Sequence, residues 1–223
     1  MDLAVSEPIE HGELFARRRA QLVHAAIEEF SRVGYHEATV KQIALAAQVS
    51  AGLVYQYVSD KEDLLFLCLA HIVERHQREI PAALEGVREP LRRLVVAVEA
   101  YSRITAASTE AVVLTYRETK TLKREYVEAM KRLELESNEL IADCLRACVK
   151  AGLLQGSHTE LVVYRITTNA HAWALKNWRL GAIVVLDQYI DQCVHACWTP
   201  LLTPAGRKAY KALASRSEQG AAP

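Results

Sequence analysis

Glycine and proline are scarce in this sequence, with 9 and 6 copies in 223 residues. Both residues interrupt helices, so their scarcity leaves long stretches free to become helical. No segment alternates apolar and polar residues as a half-buried strand does, which argues against a β-rich fold. Apolar residues recur instead at every third or fourth position, which is the period of a helix. The sequence therefore predicts an all-α protein of about nine helices.

An excess of charge is also lacking, because 27 lysine and arginine residues balance 27 aspartate and glutamate residues. A polyanion would therefore have to be bound by a local patch. The longest uncharged run covers only the 15 residues 192–206 and contains Pro200 and Pro204. A membrane span needs about 18 or more apolar residues, so we expect no membrane partner.

Five cysteines and no recognisable signal peptide predict reduced thiols in a cytoplasmic protein. Cys144 and Cys148 are four apart on a predicted helix, and Cys193 and Cys197 flank His195. This spacing leaves open a thiol- or metal-responsive regulator, although packing is the commoner role of a buried free cysteine. We assign no metal ligand set.

Motifs of enzymes are missing as well. The sequence has no glycine-rich phosphate loop, no nucleophile elbow and no His-Glu-x-x-His, and its eight histidines are scattered. We therefore expect no catalytic residue, no cofactor and no enzymatic activity.

Two helix starts flank a short uncharged segment in the first third of the chain. Thr39 and Gln42 have the spacing of a capping box, and so do Ser59 and Glu62. Between these starts there is room for one short helix after a turn at 48–50. A short helix that crosses another after a tight turn is typical of a helix-turn-helix.

Val54 and Val58 of the short helix are predicted to face the core, which leaves a set of outward residues suited to the DNA major groove. They are Ala51, Gly52, Leu53, Tyr55, Gln56 and Tyr57. Small side chains allow close approach to base edges, leucine contacts thymine methyl groups, and glutamine pairs with adenine. Tyrosine hydroxyls bind phosphates, although the two tyrosines are equally compatible with half-buried packing.

The pattern of capping residues, turn and tyrosines resembles the DNA-binding region of the TetR family of bacterial transcriptional regulators. The resemblance covers about residues 18–70 and includes Phe30, the Gly34-Tyr35 turn and Thr39, whereas Val58 stands where the family more often has phenylalanine. It implies a three-helix helix-turn-helix head, a larger helical domain for ligand binding and dimerisation, and a homodimer on a palindromic operator in double-stranded DNA.

The expected organisation is an N-terminal arm over 1–15, a DNA-binding head over 16–62, a ligand-binding and dimerisation domain over 63–206 and a tail over 207–223. The resemblance also implies which residues contact DNA. They are Arg17, Arg18, Thr39, Lys41, Ser50, Ala51, Gly52, Leu53, Tyr55, Gln56, Tyr57 and Lys61. Arg19 stands beside the two arginines and is expected to reach a groove or the backbone with them.

The segment 157–200 carries only six formal charges. A helix pair this poor in charge must be buried within the chain or against a second copy, and the family resemblance favours the second copy. The predicted interface residues are Leu186, Tyr189, Ile190, Cys193, Val194 and Cys197.

Polar residues that interrupt apolar helix faces are the candidates for an effector site. They are Tyr101, Arg103, Tyr116, Arg117, Tyr126, Asn169 and Trp173. Arg117, Glu118 and Lys120 fit a solvent-exposed face equally well. Loose resemblance to regulators of acyl-CoA metabolism suggests a small lipophilic effector, either an acyl-CoA or a fatty acid, and an aromatic compound fits nearly as well. We expect this effector to release a repressor from its operator, with the helix at 61–80 acting as the lever.

Overall fold

A computed structural model describes the backbone of residues 7–156 and 158–220 and the side chains of residues 14–156 and 158–213. These residues contain no strand, which confirms the all-α prediction. The eleven α-helices are α1 (Glu7–Val33), α2 (Val40–Ala46), α3 (Ala51–Val54), α4 (Lys61–Ala83), α5 (Pro90–Ala107), α6 (Thr109–Glu118), α7 (Arg124–Lys150), α8 (Thr159–Leu175), α9 (Asn177–Leu180), α10 (Leu186–Tyr189) and α11 (Pro204–Gly220).

There are more helices than the predicted nine because the last third of the chain is irregular. The second helix of the pair expected within 157–200 is not one continuous helix, because α10 continues as a π-helical turn at Ile190–Val194 and a 3-10 turn at His195–Cys197. A further 3-10 turn spans Thr199–Leu201. The periodicity of the sequence does not distinguish these turns from α-helix, because their repeats differ by less than one residue per turn.

Helices α1 to α3 and the first half of α4 enclose one hydrophobic core. Leu22, Phe30, Ile43 and Leu65 are at most 2% exposed in this core. Val54 and Val58 are also buried, at 0% and 5% exposure, which confirms that this face of the short helix is turned inward. The outer face of α3 is therefore fixed by packing on the opposite side.

The capping residues hold the helix-turn-helix in place. Thr39 forms the predicted capping box, since its Oγ1 accepts from the amide of Gln42 and the Gln42 side chain accepts from the Thr39 amide at 2.9 Å. The predicted cap of α4 needs correction. Asp60 rather than Ser59 is its N-cap, with an Asp60 Oδ1 to Asp63 N distance of 2.8 Å.

A second core lies between the rest of α4 and helices α5, α7 and α8. Its fully buried side chains include Ile80, Leu94, Val98, Ile141 and Ile166. Helix α4, which is 23 residues long, contributes side chains to both cores. It therefore belongs to the head and to the larger helical body at once. Within the described part of the chain, no helix has the length and apolar character needed to cross a membrane.

Both chain ends are more helical than predicted. The arm expected over 1–15 is already part of α1 from Glu7, and the tail expected over 207–223 continues α11 as far as Gly220. Residues 1–6 and 221–223 lie outside the described residues. Helix α11 packs near the turn after α7, where Thr203 Oγ1 donates to the carbonyl of Gly152 at 2.8 Å.

At Gly206 the backbone of α11 lies close to the backbone of Leu153. A Cβ atom at this position would lie 2.0 Å from the carbonyl oxygen of Leu153. We expect Gly206→Ala to lower the unfolding free energy by about 1–3 kcal/mol, because the backbone of α11 must move away. Urea denaturation measures this change. Gly156→Ala is the matched control, since a Cβ there meets no atom within 4 Å. Equal midpoints for the two variants would contradict the close approach.

Candidate DNA-binding surface and internal cavity

The outer surface of α3 presents most of the residues predicted to contact DNA. Tyr55 is 56% exposed, Gly52 and Gln56 are exposed, and Ala51 and Leu53 are half-buried. Ser50 caps the helix, with its Oγ accepting from the Leu53 amide at 3.1 Å. Among the residues whose side chains the structure describes, none covers Tyr55, Gly52 or Gln56, so this surface can enter a groove of DNA.

The positive φ of Gln48 makes the tight turn before α3. Its φ is +54°, in the left-handed region, and it is the one non-glycine residue with this conformation among the described residues. Val49 N then donates to the carbonyl of Ala44 at 2.9 Å. The turn reverses the chain in three residues and sets α3 across α2, as the sequence predicts for a helix-turn-helix.

Tyr57 and Lys61 do not share the free surface of α3. The Tyr57 ring lies 4.4 Å from the ring of Phe15, and its hydroxyl donates to the Phe15 carbonyl at 3.5 Å. Lys61 Nζ donates to the carbonyls of Tyr35, His36 and Ala38 at 2.8, 3.0 and 3.0 Å. We therefore correct the assignment of Lys61 as a phosphate ligand, because all three of its donors hold the turn between α1 and α2.

The three arginines at the start of the head also differ in their surroundings, since two are exposed and one is paired within the chain. Arg17 and Arg18 are exposed, and Arg18 Nη1 donates to Gln21 Oε1 at 3.2 Å. Arg19 makes a bidentate pair with Glu74 of α4 at 2.8 and 2.9 Å. This pair lowers the pKa of the Glu74 carboxyl. Arg19 therefore connects α1 to α4, whereas Arg17, Arg18 and Lys41 are exposed on the head.

A cavity of about 470 Å³ lies beyond the head, between α4, α5, α6, α7 and α8. One part of its lining is apolar and includes Ile72, Val73, Val112 and Met130, all buried. A second part, which we call the inner wall, is polar, and all of its residues are buried except the half-buried His171. The inner wall consists of His76, Tyr101, Ser137, Asn138, Thr167 and His171. Lys120, Lys131 and Glu134 are exposed and form what we call the rim.

Hydrogen bonds connect the residues of the inner wall. His171 lies between two tyrosines, with Tyr101 Oη 2.9 Å from its Nε2 and Tyr116 Oη 3.0 Å from its Nδ1. His76 contacts Thr105 Oγ1 at 3.3 Å and Ser137 Oγ at 3.2 Å, and its ring stacks on Tyr101 at 4.0 Å. These contacts fix the orientation of both imidazoles.

Burial keeps the inner wall uncharged. It lowers the pKa of His171 to about 4 and that of His76 to about 3, the latter with help from the neighbouring His171. Burial, followed by the Glu134 carboxylate, raises the pKa of the Tyr101 hydroxyl. At neutral pH the wall therefore offers neutral imidazoles and protonated phenols.

Of the residues predicted to bind the effector, Tyr101 and Tyr116 line the cavity and the other five do not. Arg103 pairs with Asp187 at 2.7 Å on another surface. Asn169 Nδ2 donates to the Arg165 carbonyl at 2.9 Å, away from the cavity. Trp173 packs on Tyr189, with ring centroids 5.1 Å apart.

Asn169 belongs to a polar run over 167–171 of α8, and a different face of this run is turned to the cavity. Thr167 and His171 of this run, four residues apart, line the cavity, whereas Asn169 points away from it. On α7, Ser137 and Asn138 interrupt an otherwise apolar buried face. That interruption is the signal in the sequence by which they could have been found.

Arg117 and Tyr126, the remaining two predicted effector residues, connect the head to the helices around the cavity. Arg117 Nη2 donates to the Phe30 carbonyl of α1 at 2.8 Å, and its Nε contacts Glu118 at 2.7 Å. The Tyr126 hydroxyl donates to Asp63 of α4, and its ring stacks on Phe66. Glu118 is only 8% exposed, so it does not belong to a solvated face. The end of α6 thus touches α1, while the next residues, Thr119 and Lys120, line the cavity.

The prediction of the dimer-interface residues also needs correction. Tyr189, Ile190, Val194 and Cys197 are all at most 5% exposed and are buried within the chain itself, where they pack in the second core. Leu186 and Cys193 are half-buried. The large apolar side chains exposed in this region are Leu161, Tyr164, Trp178, Ile183 and Val185.

The cysteines are free, and four of the five are buried. Burial raises the pKa of Cys144, of Cys197 and, to about 12, of Cys148. A raised pKa lowers the thiolate fraction on which redox sensing and metal binding depend. No group of three or more His, Cys, Asp or Glu side chains suited to a metal ion occurs among the described residues.

Comparison with known proteins shows similarity along most of the chain. Residues 22–68 match a family described as bacterial regulatory proteins, tetR family, and residues 87–195 match the tetracyclin repressor-like C-terminal domain. The HTH-type transcriptional regulator HbdR of Aromatoleum sp. (strain CIB) is 37% identical over 213 residues, which cover 94% of this chain and 93% of that protein.

Solved structures with the same fold include two regulators called FadR. The fatty acid degradation regulator FadR from Bacillus halodurans has a TM-score of 0.67 and 21% identity, covering 81% of this chain and 94% of that one. FadR from Bacillus subtilis, crystallised with stearoyl-CoA, has a TM-score of 0.64 and 17% identity, with coverages of 78% and 97%. At these identities the likeness concerns the fold alone.

The different surroundings of two lysines in the head predict different effects of their removal. We expect Lys61→Ala to lower the unfolding free energy by about 1.5–3 kcal/mol, because three carbonyls lose a charged donor. Lys41→Ala, at an exposed position, should leave it within about 0.5 kcal/mol of the parent. Urea denaturation of both variants measures the difference, and similar midpoints would contradict a structural role for Lys61.

The buried histidines predict that stability falls with acid in a defined pH window. The unfolded chain binds protons near pH 6.5, whereas folded His76 and His171 stay neutral down to about 3 and 4. The contribution of these two histidines to the unfolding free energy is therefore fully present above pH 6.5, and it is lost as the pH falls below that value. Each histidine contributes about 1.4 kcal/mol per pH unit once the unfolded state is protonated.

Urea denaturation between pH 7 and 5 measures this slope. His171→Gln should reduce it by the contribution of one histidine, and His158→Gln, at an exposed position, is the control that should not. An unchanged slope in His171→Gln would contradict a neutral buried imidazole at this position.

Proposed function

The chain belongs to the TetR family of bacterial regulatory proteins, and on this basis we propose that it represses transcription as a homodimer released from its operator by a small lipophilic effector. Membership of the family makes it a helix-turn-helix transcriptional regulator. The operator, the second copy and the effector are the parts of the proposal that need support from this chain.

The observation that carries the proposal is the exposed outer face of α3. The side-chain amide of Gln56 has both the donor and the acceptor that pair with adenine, and small residues at 51 and 52 allow close approach. Tyr55 and Lys41 are exposed beside it and have the donors that phosphates accept. One such head reads only a half-site, so a palindromic operator requires two heads related by a twofold axis.

The exposed apolar side chains of α8 to α10 support the homodimer. Trp178 is 78% exposed, Val185 63% and Ile183 54%. Large apolar side chains grouped on one region of a surface are typical of a contact with another protein. A second copy of this chain is the occupant that would also supply the second DNA-binding head.

The cavity supports the effector. Its apolar lining suits a lipophilic body, and the exposed Lys120 and Lys131 at the rim suit an anionic part such as that of an acyl-CoA. The FadR structure with stearoyl-CoA has the same fold. Since Thr119 and Lys120 follow directly on the contact between Arg117 and Phe30, a ligand that moves the end of α6 also moves α1 of the head. Effector and operator then weaken each other by the same factor.

Selection of duplexes from a random DNA library, followed by binding titration and native mass measurement of the complex, tests this function. We expect a palindromic consensus and two chains per duplex. Tyr55→Phe should weaken binding to all sequences about fivefold, because it loses one phosphate contact worth about 1 kcal/mol. Gln56→Ala should relax the preference at one base position by about 1–3 kcal/mol.

Glu139→Gln, an exposed change on α7 far along the chain from the head, is the control and should leave both readouts unchanged. The assignment of α3 as the reading helix fails if Tyr55→Phe and Gln56→Ala cause the same loss on the consensus and on random DNA. Selection of no consensus would overturn the function as a whole.

A further inference from the structure

We propose that the inner wall of the cavity binds an uncharged oxygen acceptor of the effector, such as a carbonyl or hydroxyl oxygen, and rejects both a carboxylate and a bare hydrocarbon in that place. This inference rests on the proposed function in one respect, namely that the cavity is the effector site. It specifies which end of an effector lies inside the protein and which chemistry that end must have.

Asn138 provides an unpaired donor. This residue is 7% exposed and lines the cavity, and its Nδ2 has no hydrogen-bond partner among the described residues. A buried amide donor without an acceptor loses its hydration without compensation, which is unfavourable. An oxygen atom of a bound ligand would restore this bond, whereas an alkyl or unsubstituted aryl group would leave it broken.

The contacts of His171 leave a second donor. Both of its nitrogens face tyrosine hydroxyls, Tyr101 at 2.9 Å and Tyr116 at 3.0 Å. A neutral imidazole has one N–H and one lone pair, so it accepts from one tyrosine and donates to the other in either tautomer. The tyrosine that accepts from His171 keeps its own hydroxyl hydrogen free to donate. In the tautomer in which Tyr101 accepts, this hydrogen belongs to a side chain that is only 3% exposed, so the cavity lining then offers a second buried donor without an acceptor.

Among its described residues, the inner wall has no cationic group to balance a negative charge, so the acceptor that it binds must be neutral. The described side chains of the inner wall include no lysine or arginine, and burial lowers the pKa of its two histidines far below neutrality. The carboxylate of the rim, Glu134, raises the pKa of Tyr101, Tyr116 and Tyr164, in each case after the larger effect of burial. A buried anion without a cation is strongly disfavoured. Any charged part of the effector is thus confined to Lys120 and Lys131 at the rim.

Three aromatic probes of nearly equal shape test the inference by isothermal titration of the protein without DNA. They are 4-ethylacetophenone with a neutral carbonyl, 4-ethylbenzoate with a carboxylate, and 4-isopropyl-ethylbenzene with no oxygen. At pH 7.5 we expect the ketone to bind at least about tenfold more tightly than either of the others, because a missing or charged partner costs more than about 1.4 kcal/mol.

Asn138→Leu has nearly the same volume and removes the unpaired donor. In this variant the preference for the ketone over the hydrocarbon should fall by about fivefold or more, with the hydrocarbon binding as tightly as before or more tightly. Glu139→Gln, next to it on α7 but not in the cavity lining, is the control and should keep the parent preference. Asn138→Gln provides a second test if the leucine variant does not fold, since it moves the donor without removing it and should weaken the ketone alone.

Equal or tighter binding of the carboxylate or the hydrocarbon would overturn the inference, and so would a failure of all three probes to bind. Neither result would affect the selection of operator DNA, so the two proposals fail separately. Ketone-selective binding that leaves DNA complexes intact would support the inference and would contradict the release step of the proposed function.

Discussion

The packing of α4 in both hydrophobic cores is the constraint on which the rest of the structure depends. Its first half closes the head around Phe30 and Leu65, and its second half closes the body around Ile80 and Leu94. Ile72, Val73 and His76, between these halves, line the cavity. Because buried cores are densely packed, α4 is held in a fixed position against both the head and the body. The sequence predicted that this helix connects effector binding to the head. Helix α6 makes a second contact with the head, through Arg117 and the Phe30 carbonyl.

Polar contacts between the head and the body add to the apolar packing of α4, α6 and α7 on the head core. Arg19 pairs with Glu74, Arg117 donates to the Phe30 carbonyl, and Lys123 pairs with Asp60 at 3.2 Å. Lys123 and Asp60 form an exposed pair, and exposed ion pairs contribute little to stability. Arg19 and Glu74 form a partly buried bidentate pair, and its two parallel hydrogen bonds fix α1 relative to α4.

The cavity combines two environments that act on different parts of a ligand. Its apolar lining favours a lipophilic body, and its inner wall holds neutral hydrogen-bonding groups that are partly unpaired without a ligand. Burial produces both effects at once, because it removes water from the apolar side chains and also keeps His76 and His171 uncharged. Selectivity for an uncharged oxygen then follows from the cost of leaving a buried donor unpaired.

The sequence by itself determined what depends on local patterns. Periodicity predicted the helices, the Thr39 capping box and the turn at 48–50 predicted the helix-turn-helix, and Val54 and Val58 predicted its buried face. Only the tertiary structure decided which side chains meet across helices. Lys61 is held by three carbonyls, Asn169 turns from the cavity, Ile190 and Val194 lie inside the chain, and His76 and Asn138 form part of a site. These outcomes depend on the rotation of each helix about its axis, which is set by packing against residues distant in sequence.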